Sequence, residues 1–289
     1  MRTLVYRNGD WREQPQGIEP PQSGQEEFKT INGNSNTDRL RLTQLLLDGT
    51  HYGYNKALQL YQNSGASIGS FGMSYLNHAK QLSSSDFPNH WSEPEFQAYL
   101  PQEISNNALL LLCFTGVGQG LNMPIPCFHS IAKHVFDGIV YFFDVQKDYY
   151  TANQAQVEQA VARLLELSSW QRVALIGASG GGSITLRFPS HPLVKKRLSA
   201  SPPICRDQQV LNLIKRRKFQ NFRKSRIFFA VGNKIDTRHY RHLKSHLPAE
   251  LFDQSVFNLA WASESHGTLA TLLQLGALSK QLEWLGNDT

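Results

Sequence analysis

The sequence contains little cysteine and no long apolar segment. Cys113, Cys127 and Cys205 have neither metal-binding nor redox spacing, and such a sparse, odd count is typical of a reducing compartment. No apolar run reaches the length of about 18 residues that suggests a membrane-spanning helix. The first residues also lack the apolar core and cleavage site of a signal peptide. We therefore predict a cytoplasmic protein without a transmembrane segment.

The rest of the composition is that of an ordinary globular protein, with 40% hydrophobic and 18% charged residues. A chain of 289 residues can form one large domain, or one domain with a sizeable insertion. The sequence has neither an internal repeat nor a low-complexity tract. These properties bound the class of protein but do not indicate its activity.

Positive charge is concentrated in residues 206–248, which we call the basic segment. It holds twelve Lys and Arg residues against two acids, whereas the whole chain has a net charge of +6. Its densest part contains Lys215, Arg216, Arg217 and Lys218 in succession. Such a run favours an anionic partner, for which nucleic acid, acidic lipid and acidic polysaccharide are the general classes. The alternative interpretation is a solvated helix face.

The first part of the chain gives weak structural signals. Residues 3–14 have the pattern of a hairpin around Asn8-Gly9, a pair favoured in type I′ turns. Residues 15–36 look irregular, and helical spacing follows over residues 40–47, after a capping Thr37 or Asp38, and over 54–62. We predict that residues 1–107 form a hairpin with an accessory or cap region, and that residues 108–289 form the core, with a basic insertion around 206–225.

From residue 108 onward, apolar runs alternate with helical patterns. Helical spacing covers residues 126–135, 154–167 and 267–284, and strand-like runs cover 108–114, 138–144, 172–177, 197–200, 226–232 and 255–262. The runs are almost continuously apolar, as in strands that are buried on both faces. We therefore predict an α/β fold: a mostly parallel, doubly wound sheet with helices on both faces and an N-terminal accessory region.

One of these apolar runs ends in Gly177-Ala-Ser179-Gly-Gly181, which fits the pattern G-x-S-x-G. A nucleophilic serine needs a sharp strand-to-helix turn that exposes its hydroxyl, and flanking glycines remove the Cβ atoms that would clash there. A short helix over residues 181–188 is predicted to follow. The alternative is a phosphate-binding turn, but the dinucleotide pattern G-x-G-x-x-G is absent at this position. We expect no cofactor.

An acid and a histidine follow later strands, Asp236 in Val231-Gly-Asn-Lys-Ile-Asp236 and His266 in Ser263-Glu-Ser-His-Gly267. With Ser179 they give the chain order Ser, Asp, His. Residues 108–285 therefore resemble the α/β-hydrolase superfamily, in its serine esterase and acyltransferase members. The resemblance implies Ser179 as nucleophile, His266 as general base and Asp236 as the acid that orients it. Asp207 and Glu264 are alternative acids.

The resemblance also implies two backbone donors for the oxyanion. One is the N–H of Gly180, the residue after the nucleophile. The other belongs to Phe114-Thr-Gly-Val-Gly-Gln-Gly120, where Val117 is our first choice and Gly118 the second. Thr115 stands where these enzymes usually carry His. The glycines of this loop have a simpler alternative role in a turn.

We predict a serine hydrolase of a carboxylic ester or thioester, with transfer of the acyl group to an acidic substrate as a variant of the same chemistry. The substrate would be a small-molecule or glycan ester, and nucleic acid is not expected. Lys215, Arg216, Arg217 and Lys218 are predicted to bind an anionic substrate, because such enzymes insert a lid at this point of the chain. The alternative is a non-catalytic protein of the same fold that binds an anionic polymer or protein partner.

Three histidines of the basic segment, His239, His242 and His246, fall on one helical face and could form a metal site. No carboxylate or cysteine lies between them in the sequence, which favours a solvated basic helix. We expect no metal. The sequence does not indicate an oligomeric state.

Overall fold

The computed structural model describes residues 4–7, 10–13, 82, 90–93, 96–101, 104–105, 107–116, 120–123, 125–144, 146–166, 170–259 and 266–287. Its main feature is an eight-stranded sheet with the order β10-β9-β8-β7-β5-β6-β4-β3. The strands are β3 (His90–Glu93), β4 (Phe96–Tyr99), β5 (Leu109–Phe114), β6 (Gly138–Phe142), β7 (Arg172–Ala178), β8 (Val194–Ala200), β9 (Ser225–Phe229) and β10 (Val256–Asn258).

Six neighbouring strands, β5 to β10, are parallel, while β4 runs antiparallel to both β3 and β6. Parallel strands have their carboxyl ends at one edge of the sheet, which we call the carboxyl edge, and their amino ends at the other, the amino edge. The prediction of a mostly parallel α/β sheet is confirmed.

Nine α-helices connect or flank the strands in the described part of the chain. They are α1 (Ile125–Ala132), α2 (Gln154–Glu166), α3 (Gly180–Arg187), α4 (Gln208–Lys215), α5 (Gln220–Arg223), α6 (Lys234–His246), α7 (Ala249–Ser255), α8 (Thr268–Gln274) and α9 (Leu278–Gly286). A 3-10 turn, Ile204–Arg206, precedes α4. None of the helices within these residues has the length and apolarity needed to cross a bilayer.

Helices cover both faces of the sheet because its apolar side chains alternate. Leu111 and Cys113 of β5 pack into one cluster with residues of α1, α8 and α9. Leu110 and Leu112 face the opposite way and pack with residues of α2 and α3. A third cluster joins β9 to α4, α6 and α7. The doubly wound arrangement predicted from the buried strands is therefore present.

Several predicted elements differ in extent from the observed ones, three of them as follows. The single closing helix predicted over residues 267–284 is instead two helices, α8 and α9, because Gly276 between them has φ +66° and breaks the helical path. In the described residues, which end here at 259, the strand predicted over residues 255–262 covers Val256–Asn258, and it starts after Ser255 because α7 extends to that residue. The predicted strand 197–200 begins earlier, at Val194, where two lysines hide the apolar pattern.

In the N-terminal part, β1 (Leu4–Arg7) pairs antiparallel with β2 (Asp10–Glu13), in agreement with the predicted hairpin. The helices predicted over residues 40–47 and 54–62 lie outside the described residues. β3 and β4 precede residue 108 and pair within the main sheet. The division of the chain at residue 107 stays a prediction.

Candidate active site

Ser179 lies in a sharp turn between β7 and α3. Its backbone has φ 52° and ψ −120°, a region that residues other than glycine rarely occupy. The turn is held in part by the Ser179 N–H, which donates to the carbonyl of Ala200 at the end of β8 over 2.8 Å. The serine is half-buried, so its hydroxyl stays within reach of a ligand.

The motif's glycines are explained by close backbone contacts. A Cβ on Gly177 would lie 2.0 Å from the carbonyl oxygen of Gly181. A Cβ on Gly181 would lie 1.9 Å from the carbonyl oxygen of Phe114. Both distances are far below a van der Waals contact, so any other residue would push α3 away from the sheet.

Ser179, His266 and Asp236 form one chain of hydrogen bonds. His266 Nε2 lies 3.0 Å from Ser179 Oγ, and His266 Nδ1 lies 2.7 Å from Asp236 Oδ1. Because an ionised carboxylate only accepts hydrogen bonds, Nδ1 carries the proton and Nε2 is free to accept the serine hydroxyl. Asp236 is fully buried and the His266 side chain is 33% exposed, so the chain runs from the interior to the surface.

The second oxygen of Asp236 is held by two further donors. Asp236 Oδ2 accepts the Ser201 hydroxyl at 2.5 Å and the backbone N–H of Ala230 at 3.1 Å. Ser201 is itself hydrogen-bonded to the buried Thr268 hydroxyl. These contacts fix the carboxylate in the orientation that His266 requires. Ser201 and Thr268 were not predicted from the sequence. Their only sequence signal is position, because Ser201 comes directly after β8 and Thr268 comes two residues after His266.

The three residues meet because each follows a parallel strand at the carboxyl edge. Ser179 follows β7, Asp236 lies in the first turn of α6 after β9, and His266 follows β10. Asn233 caps α6 by accepting the N–H of Ile235, which fixes the start of the helix that carries Asp236.

The alternative acids are not placed against His266 in the described structure. Asp207 accepts the N–H groups of Gln209 and Val210 as the N-cap of α4, and forms a buried ion pair with Arg187 at 3.2 Å. Glu264 lies outside the described residues. The position next to His266 is therefore occupied by Asp236.

A second histidine lies near the acid. His239 is buried one turn after Asp236 on α6, and its Nδ1 accepts the backbone N–H of Cys205 at 3.2 Å. Burial lowers the pKa of His239 to about 4, against the smaller opposing effect of Asp236. It is therefore neutral at pH 7. His242 and His246 stack on each other, and no metal-binding group of three or more ligands occurs within the described residues.

The predicted oxyanion donors are described only in part. Gly180 is the first residue of α3, so its N–H has no acceptor within that helix. Gly116 lies against the nucleophile, since a Cβ there would be 3.2 Å from Ser179 Cβ, and its own N–H donates to the Gly120 carbonyl at 3.0 Å. Val117 and Gly118 lie outside the described residues.

The basic side chains Lys215, Arg216, Arg217 and Lys218 are exposed and lie away from Ser179. Asn221, three residues after Lys218, donates to the carbonyls of Leu186 and Phe188 at the far end of α3. Since α3 starts at the nucleophile and has eight residues, its length of about 12 Å separates Ser179 from Asn221 and the neighbouring basic residues. The structure brings the predicted triad together but does not bring these four residues to it.

Comparison with protein-family models and with curated proteins gives no match. Among solved structures, a thermostable esterase is similar at 12% identity over 66% of this chain and 59% of that chain, with a TM-score of 0.46. An α/β serine hydrolase homologue from Coxiella burnetii is similar at 13% identity over 65% and 90%, with a TM-score of 0.42. A hyperthermophilic esterase from Pyrobaculum calidifontis is similar at 11% identity over 82% and 96%, with a TM-score of 0.44.

This chain spans about three fifths of the thermostable esterase, and the activities named above are those of the other proteins. The chain's own features define its fold. It has a mostly parallel sheet, a strained serine between a strand and a helix, and the order Ser179, Asp236, His266 at one edge. The chain has an α/β-hydrolase fold.

Proposed function

We propose that the protein is a serine hydrolase that cleaves a carboxylic ester or thioester with Ser179 as nucleophile. The observation that carries the proposal is the continuous hydrogen-bond chain from Ser179 through His266 to the buried Asp236. An exposed serine and histidine can come within hydrogen-bond distance by chance. A buried carboxylate such as Asp236, which is hydrogen-bonded to His266 and to the groups that orient it, is costly to maintain without a function.

In the proposed reaction, Ser179 Oγ attacks the carbonyl carbon of the ester while His266 Nε2 takes the hydroxyl proton. The negative charge passes to the carbonyl oxygen, which is stabilised by the Gly180 N–H and by a second donor assigned to Val117. Each donor contributes about 3 kcal/mol to lowering the barrier. His266 then gives its proton to the departing alcohol or thiol, leaving an acyl group on Ser179.

Water completes the reaction by the same steps. It attacks the acyl carbonyl while His266 accepts its proton, and Ser179 leaves with that proton as the free hydroxyl. Asp236 holds His266 in the required tautomer and stabilises the imidazolium formed in each half-reaction. Transfer to an acceptor other than water would use the same groups. Transfer to an acidic acceptor remains the narrower form of this proposal.

The basic segment supports a second candidate function, the binding of an anionic polymer or protein partner. An open concave surface, which encloses about 590 Å³, is bordered by Arg217, Lys218 and Arg223, together with Phe219 and Gln220. Within the described residues, none of these three cations forms an ion pair. This surface lies near the far end of α3, so it could contact an ester at Ser179 only if the substrate were long.

A cytoplasmic location is proposed on the state of the cysteines. Cys113 and Cys127 are buried thiols and Cys205 is a partly exposed thiol, and none of the three is in a disulfide. Burial raises the pKa of both buried thiols, which keeps them protonated and inert. Three cysteines without a disulfide are compatible with a reducing compartment.

A fluorophosphonate probe tests the hydrolase proposal, because it reacts with an activated serine and stays attached. Wild-type protein should be labelled stoichiometrically, with the label on the peptide that contains Ser179. Ser179→Ala should not be labelled, whereas Ser190→Ala, which removes an exposed serine hydroxyl elsewhere, should be labelled like the wild type. An unlabelled but folded wild-type protein would favour the binding function.

A further inference from the structure

The loop after β6 is strained next to the nucleophile. Three of its residues other than glycine have positive φ: Lys147 at 57°, Tyr149 at 63° and Tyr150 at 61°. Each such conformation costs about 1 kcal/mol or more and persists only where the surroundings impose it.

A buried carboxylate fixes the loop from inside. Asp144, at the carboxyl edge just after β6, accepts the N–H groups of Asp148 at 3.1 Å, Tyr149 at 2.9 Å and Tyr150 at 3.4 Å. The hydroxyl of the buried Tyr150 lies 2.7 Å from the Phe142 carbonyl oxygen. The loop is thus attached to the sheet at both of its ends.

A buried cation fixes the loop from the other side. Arg187, at the end of α3, donates through Nη2 to the carbonyl of Tyr149 and through Nη1 to Asp207. Within the described residues, Tyr149 forms its hydrogen bonds through its backbone N–H and carbonyl. Within the described residues its hydroxyl has no hydrogen-bond partner, so the loop does not depend on the phenol group.

The Tyr149 ring is held against the residue after the nucleophile. A Cβ on Gly180 would lie 2.6 Å from Tyr149 Cδ1. The ring therefore occupies the space in which any side chain at position 180 would stand. Tyr149 is half-buried, and its ring packs on Gly180.

The strand order shows which side of Ser179 the ring occupies. Asp236 and His266 follow β9 and β10, which lie beyond β8 on one side of β7. Tyr149 follows β6, which lies beyond β5 on the opposite side of β7. His266 must reach the leaving group in order to protonate it, so the leaving group lies on the histidine side. The acyl group then extends toward Tyr149.

We propose that Tyr149 is a specificity-determining residue, whose ring forms the acyl-side wall of the site over Gly180 and restricts the substrate to short acyl chains. The inference rests on the proposed hydrolase function and adds the class of acyl group. The buried Asp144 and Arg187 act as positioning residues, because they hold the Tyr149 backbone.

The test compares alkyl fluorophosphonates with short and long alkyl chains, together with p-nitrophenyl acetate and octanoate. In Tyr149→Ala, the ratio of the rate for the long compound to that for the short one should rise about tenfold or more, because the wall is removed. Tyr149→Phe keeps the ring and should have the wild-type ratio. A ratio that is the same in all three proteins would overturn the inference.

A pair of variants tests the contact itself. Gly180→Ala should react slowly with both chain lengths, because its methyl group meets the ring. Adding Tyr149→Ala to Gly180→Ala should restore a large part of the labelling rate. An equal loss from Gly180→Ala with and without the ring would contradict the contact.

The failure of this inference and that of the proposed function are distinguishable. If the wild type reacts with no phosphonate, the proposed function fails as well. If the wild type reacts and Tyr149→Ala has the same chain-length dependence, only this inference fails.

Discussion

The two edges of the sheet hold their charged groups in different ways. At the carboxyl edge, Asp236 is fully buried and accepts hydrogen bonds from His266, Ser201 and Ala230. Toward the amino edge, the four residues Lys215–Lys218 are exposed and unpaired within the described structure. Exposed charges cost little, whereas a buried carboxylate is stable only with its partners in place. The buried set therefore carries more information about function than the denser, exposed one.

The largest expected effect is the loss of turnover on replacing Asp236, and it distinguishes this buried carboxylate from Asp207. Asp236→Asn should lower turnover of a p-nitrophenyl ester by about 10⁴-fold, because the amide no longer selects the tautomer of His266 that accepts the serine proton. The circular dichroism spectrum should remain that of the wild type. An Asp236→Asn enzyme with nearly normal turnover, together with an inactive Asp207→Asn enzyme, would transfer the acid's role to Asp207.

The matched replacement of Asp207 should affect stability instead. Asp207 and Arg187 form an ion pair whose side chains are 4% and 2% exposed. Asp207→Asn leaves the guanidinium buried without its charge partner, which should lower the free energy of unfolding by about 3 kcal/mol. Urea denaturation measures this change. Turnover per folded molecule should stay within a few-fold of the wild type, and a loss as large as that of Asp236→Asn would remove the contrast.

A smaller effect concerns the buried imidazole beside the site. The pKa of His239 is about 4 in the folded protein and about 6.5 when unfolded. Between these values the unfolded chain binds more protons than the folded protein. The contribution of His239 to the free energy of unfolding should therefore be fully present above pH 6.5 and should be lost as the pH is lowered to 4. This contribution is at most about 3 kcal/mol, since one pKa unit corresponds to about 1.4 kcal/mol. In His239→Asn the amide oxygen can still accept the Cys205 N–H, and the urea midpoint should depend less on pH than in the wild type. An unchanged pH dependence of the midpoint would exclude His239 as the cause.

The smallest effect is expected toward the amino edge. Reversing the charges of Lys215, Arg216, Arg217 and Lys218 should change the turnover of a neutral ester less than twofold and the stability by about 0.5 kcal/mol or less. Binding of an anionic ligand should weaken in this variant and in 1 M salt, where the Debye length falls from about 8 Å to about 3 Å. If neutral and anionic substrates respond alike, these residues are a solvated surface.

The sequence was sufficient for those parts of the fold and site that depend on local signals. Continuous apolar runs predicted the parallel strands, and Gly177 and Gly181 marked the turn at Ser179 because any Cβ there would clash. The meeting of Ser179, His266 and Asp236 followed from their positions after parallel strands. Their catalytic roles stay a proposal.

The parts that sequence reasoning missed depend on tertiary contacts. Ser201 and Tyr149 have positive φ, at 47° and 63°, which no local pattern predicts for these residue types. The basic residues lie away from the site because α4, which the sequence analysis did not predict, starts near the carboxyl edge and its eight residues lead about 12 Å away from it. Charge density alone gave no indication of the edge on which the cluster lies.

The most direct test of the account is to trap the acyl group on the nucleophile. Protein mixed with excess p-nitrophenyl acetate and quenched in acid should show one acetyl group on the peptide that contains Ser179, formed together with about one equivalent of p-nitrophenolate. His266→Ala should form this adduct far more slowly. An acetyl group on another residue, or release of p-nitrophenolate at the same rate from Ser179→Ala, would contradict the central claim that Ser179, His266 and Asp236 act as one catalytic unit.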